Sequence, residues 1–156
     1  MKITVGDQAP DFTLTSEAKE EVSLSDYKGK NVVVLFFPLA FTGVCTTELC
    51  TMRDDFSEYE NLNAQILAIS VDSPFTLEQF KNTQNYNFPL LSDFNKEVST
   101  AYDALHEEFA FGMKGVSKRS AFVVDKEGVV RYAEVLENPG EQPKYEDIKA
   151  TLSRLN

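Results

Sequence analysis

Two cysteines five residues apart, Cys45 and Cys50, are the only thiols in the chain. Cys45 ends the run Pro38-Leu39-Ala40-Phe41-Thr42-Gly43-Val44-Cys45, and Thr46-Thr47-Glu48-Leu49-Cys50 follows it. Upstream lies a β-branched and aromatic stretch that Pro38 stops; Thr42-Gly43 mark a turn, and a helical pattern then begins. A cysteine at such a junction faces unpaired backbone N–H groups and the positive end of a helix dipole. Both favour the thiolate, which is the nucleophilic form, without a histidine base. The plain alternative is a small buried hydrophobe.

The elements that must hold these residues can be read in outline. Gly6 to Leu14 alternates loosely and predicts an extended arm or hairpin, and Leu24 to Lys28 a short turn. Asn31 to Phe37 suits a strand covered on both faces. Thr46 to about Asn61 predicts one helix, with Leu49, Met52, Phe56 and Tyr59 on the buried stripe; Glu48, Arg53, Asp54 and Glu58 fall on the side left to water. Ile66 to Val71 is a second buried strand. Ser73-Pro74 reads as a cap and first turn for a helix carrying Leu77 and Phe80. Phe88 to Asp93 is a short strand into a turn, and Asn95 to about Ala104 a helix. Ala121–Asp125 and Val129–Val135 flank Lys126-Glu127-Gly128 as a hairpin. An amphipathic helix covers Tyr145 to Leu155. Strands alternating with helices, plus the hairpin, predict an α/β or α+β sandwich with a mixed sheet.

The bulk properties narrow the function. A chain of 156 residues, 42% hydrophobic and 12% aromatic, suits one packed domain over 1–156. Fifteen basic residues against 25 acidic ones give a net charge of −10, which argues against nucleic acid or an anionic membrane as partner. No apolar run reaches the ~18 residues of a membrane span. Met1 to Asp11 shows no basic region followed by an apolar one, so the expectation is a cytoplasmic address. Cysteines there are more often reactive or simply buried than structural staples. The single histidine, His106, reads as a solvated loop residue, and no zinc set forms around it.

Pro38, Thr42 and Cys45 match the Pro-x-x-x-Thr-x-x-Cys signature of the peroxiredoxins, a family this chain resembles along nearly its whole length. Gly6-Asp7-Gln8-Ala9-Pro10-Asp11-Phe12 is similar to that family's usual opening. Phe88-Pro89-Leu90-Leu91-Ser92-Asp93 and Arg119-Ser120-Ala121-Phe122-Val123-Val124-Asp125 look like two further blocks. Within the family, Phe37 to Cys45 looks most like the alkyl-hydroperoxide-reductase-E group, while the Cys45–Cys50 step is similar to the peroxiredoxin Q group. The resemblance implies a thioredoxin-like fold, a central mixed β-sheet flanked by helices. It also implies reduction of hydroperoxides without metal or organic cofactor, with electrons from a thioredoxin- or glutaredoxin-like thiol protein. By the same likeness, Cys45 attacks the peroxide and becomes a sulfenic acid. Thr42 would align sulfur and peroxide, Pro38 would shield the sulfur, and Arg119 would set a permanent cation beside it. Glu48 is expected to buttress Arg119, although an acidic residue in a first helical turn is already favoured by the dipole.

The second thiol meets a geometric obstacle. Five residues on a helix carry it about 140° round and about 7.5 Å along the axis, whereas disulfides rarely form beyond a Cα separation of ~7 Å. If Cys50 resolves the sulfenic acid, as the family-like spacing suggests, the first turns must unwind; Thr46, Thr47 and Thr51 are mediocre helix formers and lower that cost. Otherwise Cys50 is a bystander and an external thiol reduces Cys45. Phe109, Phe111 and Met113, in the loop Glu107 to Val116, would line a peroxide pocket or pack against a second copy in a homodimer. A thiol–disulfide oxidoreductase would want Cys-x-x-Cys and a proline before the hairpin strand, where this chain has Lys118-Arg119-Ser120. A peroxide sensor using the same thiolate is the other alternative.

Overall fold

The computed structural model describes residues 2–156. In chain order the elements are β1 (Thr13–Ser16), β2 (Glu21–Ser23), β3 (Asn31–Phe36), α1 (Gly43–Asp54), α2 (Phe56–Asn61), β4 (Ala64–Ser70) and α3 (Pro74–Gln84). They continue with β5 (Leu90–Ser92), α4 (Glu97–Ala101), β6 (Ser120–Val124), β7 (Val130–Val135) and α5 (Tyr145–Arg154). Seven strands form one sheet in the order β2-β1-β5-β4-β3-β6-β7. β3, β4 and β5 run parallel, and the other pairings are antiparallel. The sheet is mixed and helices flank it, as a thioredoxin-like fold requires.

β3 is central because it is apolar on both sides. All six of its residues are buried. Val33 and Leu35 join Leu49, Leu77 and Ile148 in one core, whereas Val32, Val34 and Phe36 join Phe12, Val98 and Tyr102 in the other. Alternation along one strand thus fastens both layers to the sheet. The parallel strands β3 and β4 end at the same edge, and antiparallel β6 begins there, with Ser120 opposite Phe36. Residues just after β3 and just before β6 therefore meet. That places Cys45 and Arg119, 74 positions apart, on one spot.

Three details differ from the sequence expectation. The helix predicted over Thr46 to Asn61 starts three residues earlier, at Gly43, and breaks at Asp55 into α1 and α2. Asp55 leaves the helical stripe to accept from Lys149 Nζ of α5 at 2.9 Å, a partner local periodicity does not reveal. The helix expected from Asn95 starts only at Glu97, since Lys96 takes a left-handed φ of 65° and the Asp93 carboxylate caps the amides of Val98 and Ser99. His106 is not solvated. Its segment folds back as an irregular hairpin, with Leu105 bridged to Ser117 and the His106 amide bonded to the Val116 carbonyl. Burial, with Lys118 nearby, holds the imidazole below its ordinary range.

Candidate active site

The site grows from the turn that follows β3. Phe37 extends the strand by one bond to Ile69, and buried Pro38 ends it. The Asp72 carboxylate, just past β4, accepts from the Ala40 amide at 2.8 Å and from Ser70 Oγ at 2.7 Å, fixing the turn. Sequence reading missed Asp72; its only signal is an acidic residue directly after a buried strand. Phe41 turns the chain with a φ of 66°, and Thr42 is the N-cap residue of α1.

Thr42 spends its proton elsewhere. Its hydroxyl donates to the Leu39 carbonyl at 2.7 Å and supplies no cap bond to the helix. The first amides of α1, from Gly43 to Cys45, thus get neither an intrahelical acceptor nor a capping side chain. Cys45 is the third residue of the helix and 1% exposed.

Arg119 closes the site from the strand side. Nη1 and Nη2 each lie 3.4 Å from Cys45 Sγ, so the guanidinium fork straddles the sulfur. Nη1 also donates to Glu48 Oε1 at 2.7 Å, and Nη2 to the Pro139 carbonyl at 2.9 Å. Burial pulls the guanidinium down, but the facing Glu48 and Cys45 more than reverse it, so the cation persists. Lys118, its neighbour in sequence, points to Glu137 instead.

Glu48 corrects the helical reading that left it to water. It is fully buried, because three residues after Cys45 it shares that residue's face. Cys45, Glu48, Leu49 and Met52 all turn inward. Burial pushes the Glu48 carboxyl up to about 7 even though Arg119 pulls the other way.

Cys50 has a different setting. It is half-buried, and both cysteines are free thiols. Its sulfur lies 3.5 Å from Gln84 Oε1 and 3.7 Å from Tyr86 Oη, with no cation bonded to it among the described residues. α1 is continuous from Cys45 to Cys50, so the two cannot bridge without unwinding.

Comparison with known proteins agrees with this geometry. The family profile described as AhpC/TSA matches residues 5–133. The chain belongs to the AhpC/TSA family. It is a peroxiredoxin, a thiol-dependent peroxidase. It is 44% identical over 142 residues to alkyl hydroperoxide reductase E of Mycobacterium tuberculosis, covering 89% of each chain. Among solved structures it resembles the peroxidoxin BcpB of Mycobacterium tuberculosis, with a TM-score of 0.88, 27% identity and 99% of each chain covered. A peroxiredoxin-like protein from Aquifex aeolicus gives a TM-score of 0.90 at 27% identity, over all of this chain and 90% of that one. In this peroxiredoxin, Cys45, Glu48 and Arg119 come together, Pro38 is buried at the end of β3, and Thr42 is exposed, with Cys50 about one helical turn and a half along α1 from Cys45. No helix among the described residues is long and apolar enough to cross a membrane.

Proposed function

We propose that residues 1–156 act as one peroxidase unit that reduces hydrogen peroxide and organic hydroperoxides at Cys45. The thiolate attacks the terminal peroxide oxygen, the O–O bond breaks, and water or an alcohol leaves with Cys45 as sulfenic acid. The observation that carries this reading is the Arg119 fork at 3.4 Å from Cys45 Sγ on both nitrogens. A fixed, desolvated cation stabilises the sulfur anion and then the negative charge spreading over the oxygens. The free amides at the start of α1 add to it. Since the Thr42 proton is held by Leu39, its hydroxyl has only lone pairs to offer, so it takes the peroxide O–H and aligns the attack. Buried Pro38, lacking an N–H, keeps water from the sulfur.

Cys50 then resolves the sulfenic acid as an intramolecular disulfide, and a thioredoxin- or glutaredoxin-like protein returns the two electrons. Such a cycle suits the cytoplasm, where partner thiols are kept reduced. The name of the alkyl hydroperoxide reductase E relative favours organic hydroperoxides among the substrates. Homodimer formation is part of the proposal: Phe41, Phe94 and Phe111 outside the long helices and Phe75 in the first turn of α3 are exposed, and light scattering reads whether two chains associate. The decisive experiment is peroxide consumption with excess dithiothreitol by the parent and by Cys45→Ser. Repeated turnover by the parent and none by the variant is the expected result; a single stoichiometric reaction by the parent would make the chain a sensor instead.

A further inference from the structure

One face of α1 is held by a short segment that takes no part in the peroxide step. Gln84 ends α3 and Asn85, Tyr86 and Asn87 follow it toward β5; Gln84, Tyr86 and Asn87 touch α1 at Thr46, Cys50 and Arg53. Those three positions are four and three apart, hence one stripe of the helix. Arg53 Nη1 donates to the Gln84 carbonyl at 2.5 Å. Cys50 Sγ lies 3.5 Å from Gln84 Oε1. The Tyr86 hydroxyl reaches the Thr46 carbonyl at 3.5 Å and Cys50 Sγ at 3.7 Å. Asn87 Nδ2 reaches the Arg53 carbonyl at 3.5 Å.

Tyr86 is fixed from behind. Its ring stacks on Phe88 with centroids 5.6 Å apart and meets the edge of Phe80 at 5.1 Å, and only 4% of the residue is exposed. The Thr46 carbonyl is also the acceptor that the Cys50 amide uses in a regular helix. Tyr86 thus contacts the turn lying between the two cysteines, which is the turn that must open for them to meet. That turn is otherwise weak. Thr46, Thr47 and Thr51 each bond back to a carbonyl four residues earlier, a pattern that slightly loosens a helix.

We propose that Gln84–Asn87, centred on Tyr86, is a latch that holds Cys50 in place on wound α1 and so sets how long the Cys45 sulfenic acid survives. The proposal rests on Cys50 being the resolving thiol. When the latch opens, Cys50 Sγ attacks Cys45 Sγ; the S–S bond forms, the S–O bond breaks, and the hydroxide leaves as water with the Cys50 proton. While it stays shut, the sulfenic acid is open to a second hydrogen peroxide, which adds an oxygen to give sulfinic acid and releases water. Tyr86 and Arg53 are positioning residues in this scheme: they govern the partition between two products of one intermediate.

Tyr86→Phe and Arg53→Met test it. Reduced proteins are compared by amide hydrogen exchange, and oxidised ones by intact mass after graded hydrogen peroxide. Exchange across residues 43–54 is expected to rise about threefold in Tyr86→Phe, the size of one weak hydrogen bond, and further in Arg53→Met, with β3 and β4 unchanged. The disulfide product, two hydrogens lighter, should gain about threefold over the sulfinic product, two oxygens heavier. A parent that forms the disulfide while both variants keep the parental ratio overturns the latch and leaves resolution by Cys50 standing. A parent that never loses two hydrogens overturns resolution by Cys50, and the latch with it.

Discussion

Cys45 and Cys50 ride on the same helix, yet their surroundings have little in common. Cys45 sits in the first turn, 1% exposed, under a guanidinium that touches it through two nitrogens. Cys50 sits mid-helix, half-exposed, against a neutral amide oxygen and a phenol. One sulfur thus has the positive end of the helix and a fixed cation bonded to it, while the bonds of the other run to neutral groups. The two settings differ in the bonded charge and in the position along the dipole, not in the residue type.

The sharpest way to break that contrast is to remove the cation. Arg119→Met keeps length and apolar volume but takes away both contacts to Cys45. Loss of a preorganised electrostatic partner of this kind costs about 10²–10³ in rate. The second-order rate of Cys45 with hydrogen peroxide, followed by competition kinetics, should fall by that amount. A fall of less than about tenfold would mean that the helix start alone suffices to hold the thiolate.

Why one cysteine was legible and the other less so follows from where their partners come from. The Cys45 setting is local: an apolar run, a proline, a turn and a helix start lie within 15 residues, and local patterns reveal such junctions. Arg119 was reached only through resemblance, because the sheet, not the sequence, brings β6 alongside β3. Glu48 was misplaced on the wet side for a related reason. Helical periodicity counts a carboxylate as outward, and only a cation 71 positions away makes its burial tolerable. The break at Asp55 depends likewise on Lys149, 94 positions on. Tyr86 carried no signal at all, since a tyrosine after a helix is ordinarily just core.

A second test asks whether Cys50 is more than a passenger. Cys50→Ser leaves the Arg119 fork intact, so the first attack on peroxide proceeds, but the sulfenic acid then has no neighbouring thiol. Without a reductant, excess hydrogen peroxide should drive about tenfold more of the variant than of the parent to sulfinic acid, read by intact mass. Equal sulfinic yields in parent and variant would make an external thiol the resolving agent and reduce Cys50 to a packing residue.

The smallest expected effect concerns the carboxylate that shares Arg119 with Cys45. Burial raises Glu48 from its ordinary 4.5 to about 7. A carboxyl whose folded value lies above its unfolded one favours folding only while it keeps its proton. Its contribution is full below about 4.5 and disappears as pH rises through about 7. Glutamine at this position retains an acceptor for Arg119 and never ionises. On a Cys45→Ser background, where no thiol lies beside the pair, the Glu48 protein should therefore lose ground to Glu48→Gln between about pH 5 and 8. A few degrees in melting temperature is the expected size, since ~1 kcal/mol is worth about 2–4 °C in a chain of this length. A flat difference across that window would mean that Arg119 keeps Glu48 ionised throughout. The guanidinium would then be neutralised by its carboxylate before it could serve the sulfur, and the helix start would have to carry most of the contrast between the two cysteines.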